Sequence, residues 1–231
     1  MKIISLKKEQ LLFFLYVTVI AVGIVASYRN QTVETFSMPI SGRVIMIDAG
    51  HGGWDPGKVG NQNILEKDIN LQIAQKLQMY LEQAGSIVIL SRLDDTALSD
   101  KKRNDMYSRA DIANTSNADI FVSIHQNSYP DASVRGAQVF YYENSEKSRI
   151  LAESIQNELL RFVDPYNKRT VESNTNYYVL KRTTIPAVIV ECGFLSNDGE
   201  KWQLMDENYQ ERIAWGIYLG IINYFMSLEM M

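Results

Sequence analysis

The feature that most limits what this chain can become is a set of three short runs, VIMI (44–47), FVSI (121–124) and AVIV (187–190). Each is apolar at nearly every position, with no side reserved for solvent. Such runs suit strands buried on both faces, as in a parallel sheet between helix layers. Segments of helical period lie between them. Ile69, Ile73, Leu77, Tyr80 and Ala84 recur three or four apart over 66–84, and Gly85 ends the pattern. Ile150, Leu151, Ile155, Leu159 and Phe162 do the same over 146–163, closed by Asp164 and Pro165. Further strands are predicted at 87–90, 136–142 and 177–180. Further helices are predicted at 100–115, capped by Ser99, and at 200–227. The alternation predicts a three-layer α/β domain whose central, mostly parallel (mixed) sheet is flanked by helices.

Sheets of this kind keep their chemistry beyond the carboxyl ends of the strands. There the chain places His51 after VIMIDAG, His125 after FVSI and Glu191 after AVIV, with Glu66 opening the first helix. The two histidines are the only ones in the sequence. Two imidazole nitrogens and one carboxylate oxygen suit a three-ligand zinc site whose fourth position stays open. A second carboxylate, kept off the metal, would accept and return a proton. On this reading His51, Glu66 and His125 are metal ligands and Glu191 is the catalytic acid/base. Each residue also has a plainer explanation. A histidine after a strand is often only hydrogen-bonded structure, and an acid in a helix's first turn is favoured by the dipole. Glu191 is harder to explain away, because a carboxylate behind four buried apolar residues is costly without a partner or a task.

Glycines 50, 52, 53, 57 and 60 surround His51 but lack the GKS or GKT ending of a phosphate loop. Their expected role is to turn the backbone so that His51 faces inward. Asp48 would either orient a histidine or bond loop amides. Cys192 neighbours Glu191, yet alternation along a strand points it to the opposite face, as a packed core residue. Tyr141, Tyr142, Tyr177 and Tyr178 fit either a groove lining or the core.

Before the domain, lysines 2, 7 and 8 precede a charge-free run, LLFFLYVTVIAVGIVAS, and 28–42 are polar and broken by Pro39 and Gly42. The expected organisation is a signal or membrane anchor over 1–30, a linker over 31–42 and a catalytic domain over 43–231. That arrangement puts the domain outside the cytoplasm, held at the membrane or released. The whole chain carries a net charge of −4. Setting aside residues 1–35 removes more basic than acidic residues, so nucleic acid is excluded as a charge-driven partner. With one cysteine, no intramolecular disulfide can form.

DAGHGGWDPG, the Glu66 beyond it, RADIAN (109–114), FVSIHQNS, GAQVFYY and VECGFLSN stand in an order that resembles the zinc-dependent N-acetylmuramoyl-L-alanine amidases of type 3. The resemblance covers about 43–227. It implies a peptidoglycan hydrolase that cuts the amide between the lactyl group of N-acetylmuramic acid and the L-alanine of the stem peptide. Zn²⁺ would be bound by His51, Glu66 and His125, Glu191 would be the acid/base, and Asn127 would lie close enough to touch substrate. Only 65 residues separate His125 from Glu191, filled by ordinary strand–helix–strand material, so control by the inhibitory helix of division-associated members is not expected. A bare anchored domain is similar to the spore-cortex, germination-specific branch, which helps form muramic-δ-lactam. That implies peptidoglycan and the membrane as partners, a possible activating protein, and a place between forespore and mother-cell membranes. Two other readings compete: a non-catalytic anchored wall-binding module, and a zinc peptidase cutting within the stem. An HxxE ligand pair would need an acid at 54, where the chain has Trp54.

Overall fold

The structure is a computed structural model that describes residues 7–29 and 38–230. Residues 38–231 form one compact unit, separate from 1–37. In the smaller unit, among the described residues, the helix α1 (Lys8–Arg29) carries exposed Leu11, Phe13, Phe14 and Leu15. Among the described residues no helix is long and apolar enough to cross a membrane. Residues 30–37, most of the expected linker, lie outside the described ones, as do the side chains of 24–29. The remainder of that linker is not a free tether. Ile40 is fully buried, its carbonyl accepts from Ser86 Oγ at 2.8 Å, and the Gly42 amide donates to the Gly85 carbonyl.

The larger unit runs β1 (Val44–Ala49), α2 (Glu66–Gln83), β2 (Ile87–Leu90), α3 (Lys102–Thr115), β3 (Ile120–Asn127), β4 (Gln138–Tyr141), α4 (Glu146–Phe162), β5 (Glu172–Ser173), α5 (Tyr178–Arg182), β6 (Ala187–Phe194), α6 (Asp198–Met205) and α7 (Glu207–Glu229). The six strands form one sheet in the order β2-β1-β3-β6-β4-β5. β2, β1, β3 and β6 are mutually parallel, and β4 with β5 runs the other way. From β1 the chain first crosses to one side, to β2, and then returns to the other side for β3. This switch opens a crevice at the carboxyl ends of β1 and β3.

Helices α2, α4 and α7 cover one face over a large core that includes Ile45, Ile47, Val122, Val190 and Cys192. The other face, with Met46, Phe121, Phe140 and Ile189, is covered by α3 and α5. Gly220 makes the α4–α7 packing possible: a Cβ there would meet the Ile155 backbone at 2.4 Å.

Three expectations are corrected. Tyr177–Leu180 is not a strand; Tyr178–Arg182 form the helix α5. The place beside β6 is taken by β4, and a short apolar run alone does not distinguish the two states. Ser99 does not cap α3, whose N-cap is Lys101 with no side-chain bond, and Asp105 instead accepts from the amides of Leu98 and Ser99. The single helix over 200–227 is two helices, broken at Asp206, whose carboxylate caps α7 by accepting from the Tyr209 amide at 2.9 Å.

Candidate active site

The three residues expected to bind metal come together although they span 51–125. His51 Nε2 lies 3.2 Å, and His125 Nδ1 3.0 Å, from the same oxygen, Oε1 of Glu66. One ligand atom from each residue falls within 4.8 Å of the others. In a tetrahedral zinc site with bonds of roughly 2.0–2.1 Å, neighbouring ligand atoms sit roughly 3.3 Å apart. The spacing and the donor chemistry therefore fit a divalent cation.

Local backbone geometry explains how the cluster forms. His51 itself has φ 62°, a left-handed conformation unusual for a residue with a Cβ. Two buried guanidiniums hold it there. Arg109 donates to the carbonyls of His51 at 2.7 Å and Ala49 at 2.9 Å, and Arg92 donates to those of Ala49 and Gly50. Gly50 is needed for space, not for φ. A Cβ there would lie 2.2 Å from His125 Cε1. At Gly57 (φ 66°) a Cβ would lie 2.5 Å from Glu66 Oε2. The glycine loop thus does more than turn His51 inward, since it clears the space that His125 and Glu66 occupy.

Asp48 plays neither expected role. It is fully buried, and its oxygens accept from Arg109 Nη1 at 2.5 Å and Ser123 Oγ at 2.6 Å. Burial raises its pKa, but Arg109 and the hydroxyl bonds outweigh this and hold it low. The histidine's orienting acid is Asp55, whose Oδ2 lies 2.9 Å from His51 Nδ1. A proton on Nδ1 shared with Asp55 leaves Nε2 bare for a metal. Sequence reasoning took Asp55 and Arg109 only as parts of motifs, although Asp55's four-residue offset from His51 was a usable signal, and it overlooked Arg92.

Charge at the site is strongly divided. Burial pushes the Glu66 carboxyl up, but the hydrogen bonds and charge of His125 and His51 hold it far below the usual range. The amides of Lys58 and Gln126 fix its two oxygens. Burial depresses His51, yet Glu66 and Asp55 raise it overall. Glu191 goes the other way. Burial and then the Glu66 charge, opposed by the histidines, push it up to about 7. Its Oε2 is buried and has no hydrogen-bond partner. Glu191 pairs directly with His125 across β3 and β6, so the acid stands beside the cluster without belonging to it. β6 continues to Phe194, so Glu191 lies within the strand instead of following it.

A cavity of about 110 Å³ opens beside these groups, lined by His51, His125, Glu191, Met106, Tyr177 and Tyr178. Tyr177 and Tyr178 are therefore wall residues, Tyr177 also packing with Tyr142 against the second core, and Tyr141 packs against the first. Asn127 does not line the cavity; its Oδ1 accepts from the Ser128 amide. Cys192 is fully buried on the opposite face of the sheet, as expected.

Fold and site together define a class: an α/β domain whose sheet edge can hold one divalent cation beside an uncommitted acid. The chain belongs to the N-acetylmuramoyl-L-alanine amidase family, whose profile matches residues 45–223. The germination-specific N-acetylmuramoyl-L-alanine amidase of Bacillus subtilis is 36% identical over 205 residues, 85% of this chain and 86% of that one. Among solved structures, the CwlD amidase of Clostridioides difficile, in complex with the GerS lipoprotein, is 44% identical with a TM-score of 0.76, over 80% of this chain and 99% of that chain. An N-acetylmuramoyl-L-alanine amidase from Clostridium difficile 630 is 36% identical with a TM-score of 0.75, over 81% and 98%.

Proposed function

We propose that this chain is a zinc-dependent peptidoglycan amidase that cleaves the bond between the lactyl group of N-acetylmuramic acid and L-alanine. The observation that carries the reading is the unpartnered, buried carboxylate of Glu191 beside a compact His51–Glu66–His125 cluster. Zinc, held by those three residues, would supply a Lewis acid and a water acidified to near neutrality. Glu191, with a pKa of about 7, is suited both to taking up the water's proton and to delivering it to the leaving alanine nitrogen. Asp55 keeps His51 in one tautomer, and the buried Arg109 and Arg92 keep the loop from relaxing away. Tyr177 and Tyr178 line the cavity beside these groups.

The domain would act outside the cytoplasm, anchored through α1 or released from it. A role in spore-cortex modification and an activating lipoprotein partner follow by analogy with the relatives named above. Purified sacculi incubated with the protein should gain new alanine amino termini, and a chelator should abolish the gain. Glu191→Gln should keep zinc and lose cleavage, whereas His51→Ala should lose both. Near-normal turnover by Glu191→Gln would end the assignment. New termini at residues other than alanine would indicate a peptidase.

A further inference from the structure

The antiparallel strand β4 begins at the same sheet edge where β6 carries Glu191, and beside it lies a second cavity, of about 640 Å³. Its wall includes Arg135, Lys168 and Arg169 against one acid, Asp164, in a chain whose net charge is −4. Arg135 pairs with Asp164 at 2.9 Å and its side chain remains 59% exposed. Lys168 is exposed and, among the described residues, has no ion-pair partner. Arg169 is fixed in place. It donates to the Arg135 carbonyl at 2.8 Å and to Gln138 Oε1 at 2.9 Å, and its guanidinium lies 4.7 Å from the Phe194 ring centroid. At Gly136 (φ 101°) a Cβ would lie 2.4 Å from Asn167 Oδ1, so the two loops that build this shelf are closely packed.

Register links the shelf to the site. His125 pairs with Glu191, and Glu191 pairs with Gln138. Paired residues share a face, so His125, Glu191, Gln138 and the guanidinium bonded to it form one row across the sheet. Two strand spacings take that row about 10 Å from His125 to Gln138, and an extended peptide covers this in roughly three residues. Glu191 and Gln138 are themselves buried, and Gln138 also donates to Glu172 Oε2 at 3.1 Å, so a stem peptide would pass over the rim above this row, toward Arg169 and the two more exposed cations beside it.

We propose that the Arg135–Lys168–Arg169 shelf is the subsite that binds carboxylates of the stem peptide two or three residues beyond the scissile amide. The proposal rests on the amidase reading and deepens it by naming what selects the peptide.

The test uses full-length Glu191→Gln protein, so that ligand is not consumed, and two soluble muramoyl tripeptides. They differ only in whether the carboxylates beyond alanine are free or amidated. Calorimetry at low salt should show the free acid binding about tenfold more tightly, because its contacts are charge-assisted, and high salt should shrink the advantage. Adding Arg135→Gln and Lys168→Gln should cut the preference to within about twofold, at unchanged zinc content. Adding Lys147→Gln and Arg161→Gln, which removes the same charge from α4, should preserve it. Equal binding of the two peptides overturns the proposal, and so does a full preference in the Arg135/Lys168 variant. A shelf variant that loses only affinity for phosphate-bearing wall polymer also overturns it, since a different polyanion would then be the occupant. Release of alanine termini by the unmutated protein is scored separately, so failure of the amidase reading and failure of the shelf give different results.

Discussion

Replacing Glu191 by glutamine should stabilise the metal-free protein, and the gain should depend on pH in a way the site dictates. Burial raises this carboxyl from 4.5 to about 7 in the folded chain. A folded-state pKa above the unfolded value means that the folded protein holds the proton more tightly. The resulting stability is complete below the unfolded pKa of 4.5 and is lost as pH rises through about 7. At about 1.4 kcal/mol per pH unit, the ionised carboxylate costs the fold about 3 kcal/mol at pH 9. A glutamine amide in its place preserves the shape and carries no charge, so it escapes that cost. Urea unfolding of chelator-stripped protein should therefore find the variant about 3 kcal/mol more stable at pH 9, and less than about 1 kcal/mol more stable at pH 5. Restoring zinc should narrow the gap at pH 9, because a nearby cation favours the carboxylate. A stability difference that is the same at both pH values would refute the reasoning, since it would mean that Glu191 does not titrate differently in the folded state.

Gly50→Ala changes no ligand, yet its Cβ would stand 2.2 Å from the His125 ring; zinc affinity, read by chelator competition, should fall at least about tenfold because metal sites tolerate only about 0.2 Å of displacement. Asp55→Asn should weaken zinc binding by roughly 10–100-fold, because an amide can donate to Nδ1 as well as accept from it and no longer fixes the His51 tautomer, with little change in the fold seen by circular dichroism. Arg109→Met should cost about 3–5 kcal/mol in urea unfolding, because Asp48 would be left charged, buried and unpaired. Cys192→Ala should retain alanine release on sacculi, since the thiol lies on the far face of the sheet; loss of activity with zinc and folding intact would reopen a role for sulfur.

Much of this protein was legible in its sequence, for reasons that are local. Periodicity located α2 and α4 because one-sided burial imposes a 3.6-residue repeat on side chains, and it located β1, β3 and β6 because strands covered on both sides must be apolar throughout. His51 and His125 stood out as the only two histidines, both near strand ends, Glu66 as the acid opening the helix that returns to that edge, and Glu191 because a carboxylate behind four buried apolar residues is costly without a partner or a task. Tertiary structure decided what depends on partners distant in sequence. Which neighbour filled the place beside β6 made Tyr178–Arg182 a helix, and the Asp206 cap divided the last helix in two. Asp48 went to Arg109 and Asp55 to His51, because a buried acid takes the nearest donor in space, and sequence separation does not measure that distance. Gly50 mattered for the ring it clears instead of the angle it adopts, and only the register of β4 set Gln138, which holds Arg169, beside Glu191.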